Sequence, residues 1–213
     1  MNDKCFSKND AVDFAWQRFK DFWKICIIAS IILVVSTILP DKINNLSGEE
    51  NEISTFLIDA AGLILTLLIN IGYTKVAINA ANYLPTPFLS LLLTDIKTIL
   101  KYAAGWFLYI SAISAGLTLL IVPGIILAIR LQFYNYYIVE NGYGPLESLK
   151  KSFYLTKNLT IELFLFYLML FALNFFGALC LGVGILITFP MSWIANAYVF
   201  KQLNKAKKGF NEI

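Results

Sequence analysis

Two ionisable residues of this 213-residue chain, Asp59 and Arg130, lie inside long apolar segments. A charge in hydrocarbon costs at least about 2.5 to 3.5 kcal/mol by insertion scales, so each charge needs a partner or a function. Each lies six residues after the start of its segment, which is Ile53 for one and Gly124 for the other. If both segments enter from the same side, both charges reach a similar depth, about 9 Å at 1.5 Å per residue. We therefore predict an ion pair between Asp59 and Arg130, which either locks two helices together or forms part of a substrate or ion site.

Amide side chains are the other polar groups within the apolar segments. They belong to Asn70, Asn135, Asn174 and Asn196. Each can form an interhelical hydrogen bond worth about 0.6 kcal/mol on average, and helix packing is the expected role. If these amides converged with Arg130 on one cavity, a path for an anionic or polar solute would become a reasonable alternative.

Several kinds of chemistry are excluded by what the chain lacks. It has no histidine, and its three cysteines do not have metal-site spacing. The sequence also contains no glycine-rich phosphate loop, nucleophile elbow or pair of catalytic carboxylates. We therefore expect neither an enzyme nor a metal or cofactor site. The basic residues are scattered along the chain instead of forming one patch, so nucleic-acid binding is not expected.

The elements that must position these residues follow from the distribution of apolar residues. Hydrophobic residues make up 58% of the chain and charged residues 15%, whereas a soluble domain has about 25% charged residues. Six apolar segments are long enough, or nearly so, to cross a bilayer as helices. They are 22–39, 53–73, 102–122, 124–139, 161–181 and 183–200. The predicted fold class is an all-α integral membrane protein with six transmembrane helices and amphipathic interfacial helices.

Two of the predicted connections contain little more than glycine and proline. Segments three and four meet at Val122-Pro123-Gly124, and segments five and six meet at 182–184. Both connections indicate tight helical hairpins. The alternative is that one pair contains a re-entrant or kinked element, because the fourth segment is short and includes Arg130 and Asn135.

Lysine and arginine positions predict the orientation in the membrane. Fifteen of the 17 basic residues fall before or at the start of the first segment, in alternate loops or after the sixth, and therefore on one side. The positive-inside rule places that side in the cytoplasm. We expect a multi-pass membrane protein with both termini in the cytoplasm, including a tail at 202–213.

Amphipathic stretches precede three of the segments, and they begin near Ser7, at Thr86-Pro87 and at Gly144-Pro145. They are predicted to lie on the cytoplasmic face, with simple extension of the spans as the alternative. The order of amphipathic helix, span and span then occurs three times within a single membrane domain, 1–213. The resulting repeat units are 7–82, 86–142 and 144–205, which would be parallel repeats of the kind found in some transporters.

The stretch 121–157 carries a VPGI turn, an arginine shortly after it and the segment GPLESLKKS. In these features it resembles the YciC-like inner-membrane proteins of bacteria and the membrane domain attached to some glycerophosphodiester phosphodiesterases. The opening AWQRFKDFW and the final GVGILITFPMSWIANAYVF are similar as well. The resemblance implies a six-span bacterial membrane domain and supplies no catalytic or binding residues.

These observations favour a membrane scaffold or a lipid-organising or interaction protein. Its partners would be membrane lipids and an unidentified membrane protein. The alternative is a transporter or channel component with a polar path near Arg130. Labelling of cysteines along spans two, four and six would distinguish the two, because reaction at a buried position requires a solvated path.

Overall fold

The computed structural model describes residues 6–47, 52–85, 93–179 and 184–211, and these residues form helices without a strand. The helices are α1 (Lys8–Ser47), α2 (Glu52–Ala81), α3 (Ile96–Leu119), α4 (Ile121–Leu131), α5 (Tyr134–Asn141), α6 (Pro145–Leu155), α7 (Thr160–Leu179) and α8 (Ile185–Asn211). The all-helical class predicted from the sequence is confirmed for this part of the chain.

Four of these helices have the length and apolar composition needed to cross a membrane. They cover Lys8–Pro40, Thr55–Ala81, Ile96–Leu119 and Thr160–Leu179. The fourth predicted span is divided between α4 and α5, and the sixth lies within α8. Helix α8 packs against α1, α2 and α7, and it carries Pro190, Ser192 and Asn196. Helix α8 is not among the helices that length and composition identify as candidate spans, so the count of six spans stays a prediction.

The three predicted amphipathic helices differ from one another in the structure. The first is continuous with the span that follows it, and together they form the 40-residue α1. The second begins at 86–87, outside the described residues, and α3 starts at Ile96. Among the described residues, the third stretch forms a separate helix, α6, with Gly144 at its N-cap and Pro145 in its first turn. The alternative of a simple extension therefore holds for the first stretch, and the threefold repeat stays a prediction.

The hairpin between α3 and α4 turns earlier than the sequence predicts. Helix α3 ends at Leu119, Leu120 is extended with φ −164° and ψ 146°, and α4 begins at Ile121. Pro123 therefore lies within the first turn of α4, where backbone N–H groups have no partner inside the helix. Proline costs little at that position, so it does not mark the turn itself.

Close glycine contacts hold both hairpins together. A Cβ atom added to Gly124 would lie 2.5 Å from Leu117 Cγ and 2.9 Å from the Leu117 backbone nitrogen. A Cβ atom added to Gly184 would lie 2.4 Å from the Gly177 carbonyl oxygen. These distances are shorter than van der Waals contact, so the paired helices can approach this closely only because the residues are glycines.

Five helix termini lie together at one end of the bundle, which we call the basic end. They are the start of α1, the end of α2, the starts of α3 and α6 and the end of α8. Here the Arg18 guanidinium lies 3.9 Å from the centre of the Tyr83 ring. Lys101 Nζ donates to the Gly142 carbonyl over 2.5 Å. The loops that the lysine pattern assigns to one side of the membrane are therefore close together in space.

Candidate functional site

Gln132 and Phe133 interrupt the fourth apolar segment between α4 and α5. A helix break leaves backbone carbonyls and amides without hydrogen-bond partners inside the helix. Here, side-chain hydroxyls at the end of α6 are the partners. Ser152 Oγ donates to the Arg130 carbonyl over 2.9 Å and accepts from Phe133 N–H over 3.0 Å. Thr156 Oγ1 donates to the same carbonyl over 3.1 Å. Both hydroxyl side chains are fully buried. The kinked alternative, and not a continuous fourth helix, is what the structure has.

The Arg130 side chain also binds α6. Its Nη2 donates to the Phe153 carbonyl over 3.1 Å, and the guanidinium carbon lies 3.4 Å from the centre of the Phe153 ring. A cation over an aromatic face contributes about 0.5 to 2 kcal/mol, depending on desolvation. The described contacts of this side chain therefore fasten α4 to α6.

Asp59 lies exposed in the first part of α2, away from the basic end. The α2 residues that belong to or pack against the core cluster of Leu131 are Ile71 and Leu67, twelve and eight residues further along. These separations correspond to about 12 to 18 Å of helix at 1.5 Å per residue. The described contacts of Arg130 do not include Asp59, so the pairing of these two residues stays a prediction.

Two of the four predicted asparagines share a cavity, which we call the inner cavity. It has a volume of about 290 Å³ and lies between α2, α3, α8 and the break between α4 and α5. Its lining includes the amides of Asn70, Gln132 and Asn135, and its other walls are mainly aromatic. Arg130 is not among the lining residues. Of the four asparagines, Asn70 and Asn135 therefore line one cavity together, but Arg130 does not line it with them.

The other two asparagines connect α7 to α8. Asn174 Nδ2 donates to Ser192 Oγ over 2.7 Å. The Tyr167 hydroxyl donates to Asn196 Oδ1, and Asn196 Nδ2 donates to the Ser192 carbonyl over 2.9 Å. The contacts of Asn174 with Ser192 and of Tyr167 with Asn196 join α7 to α8, whereas the contact of Asn196 with the Ser192 carbonyl lies within α8. The packing role of Asn174 and Asn196 stays a prediction.

A second polar cavity, which we call the basic cavity, lies at the basic end between α5, α6 and α8. Its volume is about 610 Å³. The charged lining residues are Glu140, Lys151, Lys201, Lys205 and Lys207. Lys201 forms an ion pair with Glu140, and Lys151 forms one with Glu147 over 3.6 Å. The lining contains four lysines and one glutamate, so its formal charge is positive. The cavity therefore has the charge that attracts anions.

Tyrosines form much of the remaining wall of the basic cavity. The Tyr137 hydroxyl donates to Asn204 Oδ1 over 2.9 Å, which ties α5 to α8. Lys151 Nζ lies 4.4 Å from the centre of the Tyr143 ring, and the Tyr154 carbonyl accepts from Lys207 Nζ. Lysines next to tyrosines suit the boundary between water and lipid headgroups, where a side chain can be apolar at one end and polar at the other.

Sequence reasoning missed the hydroxyls of α6 and both cavities. Ser148, Ser152 and Thr156 follow one another at four-residue spacing in the amphipathic stretch, and all three are fully buried. Residues four apart lie on one face of a helix, so this spacing could have indicated a polar buried stripe. The cavities had no comparable signal, because each takes its lining from at least three helices that are distant in sequence.

The fold and the two cavities define a class: an all-helical protein with four helices of membrane-spanning length and polar cavities between its helices. The chain belongs to the family described as a domain of unknown function, DUF7847, whose model matches residues 54–207. That match covers nearly all of α2 to α8 and leaves α1 outside. No curated protein and no solved structure matches the chain. None of these comparisons links it to the YciC-like proteins or to glycerophosphodiester phosphodiesterases.

Proposed function

We propose that this protein crosses the membrane six times, with the basic end in the cytoplasm, and binds an anionic lipid in the basic cavity. The basic cavity carries this proposal, because its lining combines four lysines and one glutamate with tyrosines at the end of the bundle where the basic loops meet. The role belongs to the lipid-organising class favoured by the sequence. It requires neither catalysis nor a cofactor.

Exposed apolar side chains support the membrane placement. The exposed fraction is 66% for Phe107, 67% for Phe171 and 79% for Leu119. Soluble monomers rarely expose contiguous apolar patches larger than a few hundred Å². Lipid chains around α3 and α7 would cover these side chains without any further protein.

The lipid headgroup is identified by charge and by position. A phosphate is an anion that lysine ammonium groups bind as point charges, and each basic residue near an anionic surface contributes about 1 kcal/mol. Hydroxyls and aromatic rings near the lysines are suited to the glycerol region of a lipid. A free phosphate in the cytoplasm offers the same charge, so the experiment below compares the two sources.

A test of lipid binding uses the triple variant Lys151→Gln, Lys205→Gln and Lys207→Gln, which leaves the ion pair between Lys201 and Glu140 intact. We expect phosphatidylglycerol to raise the midpoint of thermal unfolding of the wild-type protein in neutral detergent. The lipid concentration that gives half of this stabilisation should be about a hundredfold higher for the variant. This factor corresponds to a loss of about 1 kcal/mol of binding free energy per lysine, with some loss of additivity. Phosphatidylcholine and inorganic phosphate at the same concentrations should not stabilise either protein.

The control carries the same change of net charge outside the cavity: Lys97→Gln, Lys150→Gln and Lys157→Gln, all at exposed positions. This triple variant should respond to phosphatidylglycerol like the wild type. An equal loss of response in both variants would mean that general surface charge, and not the basic cavity, binds the lipid. If inorganic phosphate alone stabilised the wild-type protein, the ligand of the basic cavity would be a soluble anion and not a lipid.

The orientation is tested separately with an enzyme reporter that is active only outside the cytoplasm. Fused after Lys208, the reporter should be inactive, and inserted between residues 48 and 51 it should be active, because the positive-inside rule keeps the lysine-rich loops in the cytoplasm. Fusion of a fluorescent protein that matures only in the cytoplasm should give the opposite pattern. Activity of the first reporter after Lys208 would overturn the proposed orientation.

A further inference from the structure

The inner cavity lies in the half of the bundle that adjoins the basic end. Asn70, one of its lining residues, lies three residues before the end of the predicted span 53–73. Tyr102 is the first residue of the predicted span 102–122, and Trp193 lies seven residues before the end of the predicted span 183–200. Seven residues correspond to about 10 Å of helix at 1.5 Å per residue. In the proposed membrane placement, the cavity therefore lies between the cytoplasmic boundary of the hydrocarbon core and the bilayer centre.

One polar group in this cavity has no partner within the protein. Gln132 Nε2 is buried and forms no hydrogen bond in the structure. The break between α4 and α5 places this residue in the cavity wall, since Gln132 is part of the break itself. A buried donor without an acceptor costs about 1 to 3 kcal/mol, so native proteins rarely leave one unsatisfied. The arrangement favours a bound molecule that offers a hydrogen-bond acceptor.

The remaining wall of the inner cavity restricts the class of that molecule. No residue in the described lining is charged, and aromatic rings such as Trp106, Tyr109 and Trp193 form flat apolar surfaces. A charged solute would be buried there without a counter-ion, which is unfavourable. At about 290 Å³ the cavity is at the lower limit of the size range for small-molecule sites. The lining therefore selects for a solute that is small, uncharged and able to form hydrogen bonds.

We infer that the inner cavity binds a small uncharged polar solute, of the amide or polyol class, through the side-chain amides of Asn70, Gln132 and Asn135. This inference rests on the proposed membrane placement but not on lipid binding in the basic cavity. The sequence suggested a polar path near Arg130 as an alternative. The inferred site lies instead at the inner cavity, because the Arg130 side chain binds α6.

Tryptophan fluorescence gives a direct test, because two of the four tryptophans line the cavity. In a variant with Trp16→Phe and Trp23→Phe, the remaining emission comes from Trp106 and Trp193. The probes are acrylamide, an uncharged amide that quenches tryptophan, and iodide, a charged quencher. In lipid vesicles, we expect acrylamide to quench this emission with saturation. Iodide should be about a hundredfold less effective, because a charge is disfavoured at this depth.

A second variant tests the role of the amide. Gln132→Leu in the same background should weaken saturation by acrylamide up to about tenfold, which is the upper range for one hydrogen bond. Gln17→Leu, at an exposed position of α1, is the matched control and should leave quenching unchanged. Circular dichroism would verify that both variants remain helical.

The outcomes separate this inference from the proposed function. Absence of quenching by either probe, or unsaturable quenching that Gln132→Leu does not alter, would overturn the solute site alone. Equal quenching by acrylamide and iodide would mean that the tryptophans face bulk water, and it would overturn the membrane placement as well. The comparison of the two quenchers needs no substitution in the cavity, so it holds even if Gln132→Leu does not fold.

Discussion

Replacing Ser152 with alanine and Thr156 with valine in one variant should lower the free energy of unfolding in detergent by about 3 kcal/mol. The two hydroxyls bind the Arg130 carbonyl, and Ser152 also accepts from the Phe133 backbone N–H. Their removal leaves a buried donor and a buried acceptor without partners at the helix break, where no water or lipid can replace them. Thermal unfolding monitored by circular dichroism would measure the loss.

Ser148 provides the matched control for this prediction. It lies one turn before Ser152 on the same buried face, but its Oγ forms no hydrogen bond. Ser148→Ala should therefore leave the free energy of unfolding unchanged or raise it slightly, since a buried hydroxyl without a partner is itself unfavourable. If Ser148→Ala destabilised the protein as much as the double variant, loss of packing would explain the effect, and not loss of the hydrogen bonds at the helix break.

The second large effect is expected at the hairpin between α3 and α4. Replacing Gly124 with valine should destabilise the protein by about 3 kcal/mol, at the upper limit for overpacking. A Cβ atom at this position would lie 2.9 Å from the Leu117 backbone nitrogen, which cannot move unless the helix moves. Because α4 carries Arg130, its displacement should also disturb the contacts with α6. The unfolding midpoint in detergent measures the loss of stability.

Gly144→Ser is the control for the glycine prediction. A Cβ atom added to Gly144 meets nothing within 4 Å, and its backbone angles, φ −69° and ψ 160°, are accessible to any residue. Serine is also a favourable N-cap residue, so this variant should be as stable as the wild type or slightly more stable. If Gly124→Val unfolded at the wild-type temperature, close approach of α3 and α4 would not be required for the fold.

The residues that form the candidate sites could be predicted from the sequence to different degrees. The asparagines stood out because a polar side chain in an apolar segment is uncommon, and Asn174 and Asn196 each have a contact between α7 and α8. Gln132 was missed because no glycine or proline lies close to it to indicate a break. The lysines of the basic cavity were counted for orientation only, since nothing local indicates that residues of α6 and α8 share a cavity.

Local patterns by themselves determined the helical class, the apolar segments of membrane-spanning length and the start of α6 at Gly144-Pro145. Helix propensity, capping and hydrophobic periodicity act within a few residues, so one sequence is enough to detect them. Only the tertiary structure decided where the fourth segment breaks, because its free backbone groups are satisfied by Ser152 and Thr156, about twenty residues later in the chain. A break at Gln132 and Phe133 is stable only when α6 is already in place beside it, and no local pattern contains that information.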